Sequence, residues 1–158
     1  MSQQASDGQP TEQAQDRVKQ DDFGFPEGAL VSYEQVSLGI RVYTNYRWIL
    51  YHDGRWFLGR NRATYGGQKG QFESDLPSTP TKVLPPAVVL EVEDQLRAAD
   101  FPRQPSQQPE PTMQDGAQVT ITARLHGQVH QITCEGSYPP FVTYLMRFAW
   151  RYEGDSRP

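Results

Sequence analysis

Hydrophobic and polar residues alternate in several stretches of the chain and recur at helical spacing in two others. The run LVSYEQV, residues 30–36, is rich in β-forming residues and predicts a first strand. A longer apolar run follows at residues 40–51 and predicts a second strand. The chain therefore opens with a β-rich segment.

Asp53-Gly54 lies between two apolar runs, which is a strong signal for a β-hairpin. If these two residues form the turn, Tyr51 pairs with Trp56, Leu50 with Phe57 and Ile49 with Leu58. Both faces of the hairpin then carry large apolar side chains. This predicts a strand pair near the middle of the sheet, covered on each side.

A second hairpin is predicted in residues 117–136, AQVTITARLHGQVHQITCEG, where apolar and polar residues alternate. With His126-Gly127 as the turn, Ile121 pairs with Ile132, Val119 with Cys134 and Ala123 with His130. The opposite face then pairs Thr120 with Thr133, Thr122 with Gln131 and Arg124 with Val129. This register separates apolar from polar side chains, which supports it.

Two helices are predicted from apolar residues three and four positions apart. Pro85 and Pro86 suit the first turn of the first helix, which Asp100-Phe101-Pro102 ends. Its buried stripe comprises Val89, Val92, Leu96 and Ala99. The second helix begins at Pro139-Pro140 and is strongly amphipathic, with Phe141, Tyr144, Leu145, Phe148 and Tyr152 at helical spacing.

The order of elements predicts an α+β fold, with an antiparallel sheet of about five strands and two helices packed against it. Loss of periodicity predicts long loops at residues 61–84 and 102–116. Residues 1–25 are polar, acidic and rich in glutamine, and so predict a disordered tail. A single domain is expected to occupy residues 26–154.

Charge is distributed unevenly in this chain of 158 residues with a net charge of −4. Residues 1–40 carry seven acidic and two basic residues, whereas residues 41–72 carry six basic residues and one acidic residue. The basic block can meet an anionic partner, or it can face the acidic tail of the same chain.

The best candidate site lies in this block of arginine and aromatic residues. The predicted partner-binding residues are Arg41, Tyr43, Tyr46, Arg47, Arg60, Arg62 and Tyr65. Together with the loop from residue 62 to 84, they predict a surface that binds another protein. The alternative is nucleic acid or another anion bound along residues 41–62, with bases stacked on the tyrosines. An acidic pI of about 5.3 disfavours nucleic acid.

Catalytic and metal-binding patterns are missing from the sequence. Cys134 and His130 are four residues apart on a strand, about 13 Å, which is too far for a nucleophile and its base. Cys134 is expected to be a small core residue. The glycines near residue 66 lack a phosphate-loop pattern, and no spacing of His, Cys or carboxylates suits a metal. The prediction is a non-enzymatic chain without a cofactor.

Several segments resemble, in their order, the emfourin-type bacterial inhibitors of thermolysin-like metallopeptidases. These segments are LYHDGR, PPAVVLEVEDQLRAADF, DGAQVTITARLHGQVHQI and PPFVTYLMRF. Where that family has Ser-Gly-Gly-Phe in an early strand, this chain has VSLGIRVYTNY. The resemblance covers roughly residues 38–150 and implies binding through an exposed loop rather than catalysis.

The function expected from the sequence is therefore that of a non-catalytic protein-binding module, inhibitor-like or an accessory subunit of a complex. No run approaches the ~18 apolar residues of a membrane span, and no apolar signal segment is visible near Met1. A cytoplasmic location is expected, with no membrane partner. The oligomeric state stays open.

Overall fold

A computed structural model describes residues 23–37, 45–60, 76–107, 117–136 and 138–153. These residues form an α+β fold, as predicted, with six antiparallel strands in the order β4-β3-β2-β1-β5-β6. The strands are β1 (Ala29–Ser37), β2 (Tyr46–Tyr51), β3 (Arg55–Arg60), β4 (Lys82–Val83), β5 (Ala117–Leu125) and β6 (Gln128–Glu135). The helices are α1 (Pro86–Ala98) and α2 (Pro140–Glu153), with a short 3-10 helix at Phe101–Arg103.

The two helices cover one face of the sheet, which we call the helix face, and run in opposite directions across it. Helix α1 follows β4 and leads to Phe101, whose ring lies 5.5 Å from that of His130 in β6. Helix α2 begins beside Phe101, through Phe141, and ends where Lys82 of β4 donates to the carbonyl oxygen of Tyr152 at 2.9 Å. Each helix therefore spans the sheet from one edge to the other.

An aromatic cluster forms the centre of the core between the sheet and α2. The ring of Trp48 lies 5.7 Å from Tyr33, 6.3 Å from Trp56 and 4.9 Å from Phe148. All four side chains are almost fully buried. Burial of this aromatic surface stabilises the packing of α2 on the sheet.

The hairpin of β5 and β6 has the predicted register in every pair, including Ile121 with Ile132 and Val119 with Cys134. His126 and Gly127 both have positive φ, 53° and 74°, as a two-residue turn of type I′ requires. The predicted helices are also confirmed, and α1 buries Val89, Val92 and Leu96. Ala99, predicted in the same stripe, follows the helix and is only half-buried. In α2 the buried residues are Phe141, Val142, Leu145, Phe148 and Ala149.

The predicted register of the first hairpin is wrong by one residue. Leu50 pairs with Trp56, Ile49 with Phe57 and Trp48 with Leu58. The loop has three residues, with Gly54 at a φ of 94° and its N–H donating to the carbonyl of Tyr51 at 3.0 Å. A one-residue shift transfers every side chain of one strand to the other face. Trp48, Leu50 and Trp56 therefore face the helices, while Ile49, Tyr51 and Phe57 lie on the opposite face.

Both predicted loops contain ordered pairing that the sequence pattern did not indicate. Lys82–Val83 forms the edge strand β4 against Arg55 and Trp56, so the loop at 61–84 ends earlier than expected. Within the loop at 102–116, the carbonyl of Ser106 accepts a 2.8 Å hydrogen bond from Thr133 N at the β6 edge. Residues 61–75 and 108–116 of these loops lie outside the described residues.

The domain also begins before the predicted boundary. Phe25 is buried on the outer face, the face of the sheet opposite the helices, together with Ala29, Ile49, Tyr51 and Phe57. The end of the predicted tail, residues 23–25, therefore belongs to the folded unit. The remainder of that tail, residues 1–22, and residue 154 lie outside the described residues.

Candidate functional site

The turn of the first hairpin fixes the side chain of Arg55. Asp53 accepts a hydrogen bond from the backbone N–H of Arg55 at 3.1 Å and a second from its Nε at 2.9 Å. These bonds to Arg55, first from its backbone and then from its side chain, lower the pKa of the Asp53 carboxyl. The carboxylate two residues away therefore orients the guanidinium, in an ion pair whose arginine and aspartate side chains are 46% and 60% exposed.

The same guanidinium lies over aromatic rings on the outer face. Its central carbon is 4.4 Å from the ring centroid of Tyr51 and 5.9 Å from that of Phe57. These distances are typical of cation–π contacts. Among the described residues, Arg55 makes side-chain hydrogen bonds only through Nε. The N–H groups of its two Nη atoms can therefore donate to a ligand.

A cleft of about 300 Å³ opens beside this arginine on the outer face. The hairpin provides its floor and the segment before β4 provides one wall. Its lining residues are Ile49, Tyr51, Arg55, Phe57, Leu76, Pro77 and Ser78. The cleft combines an apolar aromatic floor with one cation at its rim, which suits an extended segment with an apolar side chain.

Arg47 is not available at the surface, contrary to the prediction. It is 2% exposed, and its Nε donates to the Glu34 carboxylate at 3.0 Å across β1 and β2. The predicted hairpin register would also pair Arg47 with Arg60. In the structure Arg60 pairs with Tyr46, and Arg47 lies opposite Gly59. The register shift removes the like charge from the β3 side of Arg47, and the pairing of β1 with β2 sets Glu34 directly opposite it on the other side.

The other predicted partner-binding residues have mixed outcomes. Tyr46 is 5% exposed on the helix face and cannot offer its ring to a nucleic-acid base. Arg60 is exposed, and its guanidinium lies 5.5 Å from the Tyr46 ring centroid. Four further residues lie outside the described residues: Arg41, Tyr43, Arg62 and Tyr65. Of the three described residues, Tyr46 and Arg60 lie together on the helix face, whereas Arg47 lies on the outer face.

The cleft residues were missed because their face depends on the hairpin register. In the predicted register Tyr51 and Phe57 lie on opposite faces, whereas in the structure they share one, with ring centroids 5.7 Å apart. Leu76, Pro77 and Ser78 fall in a stretch without periodicity. The sequence His52-Asp53-Gly54 could have indicated the correct register, because a three-residue loop ending in glycine is a common alternative to the two-residue turn.

Cys134 and His130 do not form a nucleophile and base. Cys134 is fully buried beside Val119, and burial raises the pKa of its thiol to about 11. His130 is engaged elsewhere, with Nε2 at 2.6 Å from the carbonyl oxygen of Gln104. The expectation that Cys134 is a core residue is confirmed.

Within the described ranges, no group of three or more His, Cys, Asp or Glu side chains is arranged to hold a metal ion. In the same part of the chain, no helix has the length and apolar character needed to cross a membrane.

Comparison with known proteins found no matching family model and no matching curated protein. The resemblance to emfourin-type inhibitors therefore stays a prediction.

Proposed function

We propose that this chain is a non-catalytic protein-binding module, and that the cleft on the outer face takes an extended segment of a partner protein. The observation that carries the proposal is the Arg55 guanidinium, held by Asp53 at 4.4 Å above the Tyr51 ring at the rim of the cleft. A cation over an aromatic floor offers a peptide both a hydrogen-bond donor and an apolar surface.

The arrangement reduces the entropic cost of binding. Arginine and tyrosine are among the residues that contribute most at protein interfaces, and a side chain already ordered loses less freedom when a partner arrives. The floor formed by Tyr51, Phe57 and Ile49 accepts an aliphatic or proline side chain. The Nη groups of Arg55 then donate to a backbone carbonyl or carboxylate of the same segment.

Two further points support a protein partner. The burial of Arg47 and Tyr46 removes one cation and one ring from the hairpin, which weakens the alternative of nucleic-acid binding. The cleft is also bounded by Leu76, Pro77 and Ser78, which belong to the loop expected from the sequence to contact a partner. An inhibitor-like or accessory-subunit role is consistent with such a surface.

The test is capture from native lysate at moderate salt, using wild-type chain and a variant with the cleft filled. Ser78→Trp places an indole in the cleft without removing a core side chain, because Ser78 is exposed. Ser106→Trp makes the same change at the opposite edge of the sheet and is the matched control.

We expect one stoichiometric protein to be retained by wild type and by Ser106→Trp, and lost with Ser78→Trp. Retention of that protein by all three forms would place the binding surface elsewhere. Capture only of nucleic acid, released by added salt, would overturn the proposal in favour of the anion-binding alternative.

A further inference from the structure

The chain enters the fold beside the cleft on the outer face. The carbonyl of Gly28, just before β1, accepts a 2.9 Å hydrogen bond from His52 N in the turn of the first hairpin. Phe25 is buried in one cluster with three residues that line the cleft, namely Ile49, Tyr51 and Phe57. Residues 1–22, which we call the N-terminal segment, are therefore attached to the fold next to the cleft.

Arg124 of β5 holds the chain at this point of attachment. Its Nη1 donates to the carbonyl oxygen of Pro26 at 3.0 Å, and its central carbon lies 5.4 Å from the ring centroid of Phe25. These contacts, together with the burial of Phe25, fix the place where the N-terminal segment joins the outer face. The cleft is thus the nearest apolar surface described on that face.

The residues just before this anchor alternate in character. The even positions carry two carboxylates, a valine and a glutamine, whereas the odd positions carry both basic residues of the segment: Asp16, Val18, Gln20 and Asp22 against Arg17, Lys19 and Asp21. In an extended chain, alternate residues point to the same side. One side then presents an aliphatic group flanked by carboxylates and no cation. This pattern complements an apolar floor with a cation at its rim.

Arg55 can accept such a carboxylate without losing its existing contact. Within the described ranges its side chain donates only through Nε, to Asp53. That ion pair is exposed, with 46% of the arginine and 60% of the aspartate side chain open to solvent. The Nη N–H groups can therefore donate to a second carboxylate while Nε stays on Asp53.

The distances allow the N-terminal segment to reach the cleft. Adjacent strands lie about 4.8 Å apart, so the distance from β1 to β3 is about 10 Å, and seven extended residues span about 20 Å. A segment joined by so short a link meets its site at an effective concentration on the order of 1 mM. A contact with a dissociation constant of about 1 mM is then half occupied, although the same contact with a separate molecule would be too weak to form.

We propose that residues 16–22 of this chain occupy the cleft on the outer face when no partner is bound. Val18 packs on the floor formed by Tyr51 and Phe57, and the Asp16 carboxylate accepts from the Nη groups of Arg55. A partner segment must displace these residues before it binds. This regulatory consequence rests on the proposed function of the cleft, whereas the contact itself does not.

Paramagnetic broadening of backbone amide NMR signals measures the contact in the full chain. A nitroxide is attached to a cysteine introduced by Gln13→Cys, three positions before Asp16. Cys134 stays unlabelled because it is fully buried. The amides of Phe57 and Leu76 report on the cleft, and the amide of Thr133 at the opposite edge of the sheet is the reference.

Val18→Asp is the test variant, because it replaces the aliphatic group by a charge in a residue that precedes the described fold. Ala5→Asp adds the same charge outside residues 16–22 and is the matched control. On the side of the cleft, Ser78→Trp fills the site and Ser106→Trp is its control.

We expect the signals of Phe57 and Leu76 to lose at least half of their intensity in the labelled chain and in both controls. The signals should recover at least twofold in Val18→Asp and in Ser78→Trp, while that of Thr133 stays constant. Equal broadening in Val18→Asp and Ala5→Asp would overturn the proposal, because attachment beside the cleft would then explain the broadening alone.

A mixture of nitroxide-labelled chain with isotope-enriched chain that carries no nitroxide tests whether the contact lies within one molecule. We expect no broadening of the enriched chain. Broadening at Phe57 and Leu76 in this mixture would overturn the proposal, because the N-terminal segment would then enter the cleft of a second copy.

The NMR experiment contains no partner, so its outcome is separate from that of the lysate capture. Recovery of the signals in Val18→Asp without any captured protein would overturn the proposed function and leave this contact standing. Capture of a protein through the cleft, with no effect of Val18→Asp on broadening, would overturn the contact alone. With both correct, Val18→Asp should retain at least threefold more of that protein than Ala5→Asp.

Discussion

Arg47 and Glu34 lie directly opposite each other on β2 and β1, and the Arg47 Nε donates to a Glu34 carboxylate oxygen at 3.0 Å. Both side chains are largely buried, with 3% and 12% of their surface exposed. Charges removed from water are costly unless they remain paired. The charge of Arg47, a predicted partner-binding residue, is therefore neutralised by Glu34 within the sheet.

Loss of one member of this buried pair should destabilise the fold strongly. We expect Arg47→Met to lower the free energy of unfolding by about 3 kcal/mol, because Glu34 is left as an unpaired charge. The double variant with Glu34→Leu should recover at least ~1 kcal/mol relative to the sum of the two single changes. Urea unfolding of the four proteins measures this coupling.

The exposed pair of Arg97 and Glu93 on α1, 2.9 Å apart, is the control for this cycle. Its coupling free energy should not exceed ~0.5 kcal/mol, as is usual for exposed pairs one helical turn apart. If the buried pair gives a coupling no larger than this, our account of Arg47 is wrong.

Gly54 and Gly127 both lie in hairpin turns, but an added Cβ would overlap with another atom only at Gly54. Both have positive φ, 94° at Gly54 and 74° at Gly127. A Cβ at residue 54 would lie 2.4 Å from the carbonyl oxygen of Leu84, whereas a Cβ at residue 127 meets no atom within 4 Å. We expect Gly127→Ala to cost ~1 kcal/mol and Gly54→Ala ~3 kcal/mol or more.

Thermal or urea unfolding of the two glycine variants measures the difference. The Gly54 variant should also detach β4, because the carbonyl of Gly54 accepts a hydrogen bond from the backbone N–H of Leu84 at 2.8 Å. Faster hydrogen exchange at Leu84 would report this detachment. Equal costs at the two glycines would show that the close approach to Leu84 is easily relieved.

Stability should fall at alkaline pH because of Cys134. Its pKa is about 11 in the folded chain, raised by burial from the ordinary value of 9.0. The unfolded chain therefore releases the thiol proton first as pH rises. The stability that this group contributes is complete below pH 9 and is lost between pH 9 and about 11, to the extent of ~2 kcal/mol.

Cys134→Ala separates this effect from tyrosine titration, since Tyr33 and Tyr144 also have pKa values raised by burial. The variant should be less stable at pH 7 but should show a shallower decline from pH 9 to 11. Parallel declines for wild type and variant would attribute the alkaline instability to the tyrosines instead.

The two hairpins explain how far the sequence could predict the structure. In the β5–β6 hairpin, alternation continues up to His126-Gly127, so turn and pattern specify the same register. In the β2–β3 hairpin both faces are apolar, so either register buries large side chains, and the turn alone decides. A three-residue loop then moved Tyr51 and Phe57 to one face and created the cleft, which the pattern could not indicate.

The short strand β4 was beyond prediction for a different reason. Two residues are too few for a periodic pattern, and the strand depends on distant backbone groups, such as the hydrogen bond from Thr81 N to the carbonyl of Trp56 at 2.8 Å.

The two edges of the sheet differ in how much backbone they leave open to another strand. An open strand edge offers unpaired backbone groups to another molecule and so promotes aggregation. Here β4 is only two residues long and carries Lys82, while the opposite edge at Thr133 is paired with Ser106. Strand addition is therefore disfavoured at β4, whereas along the eight-residue β6 the segment at Ser106 occupies the backbone only at Thr133.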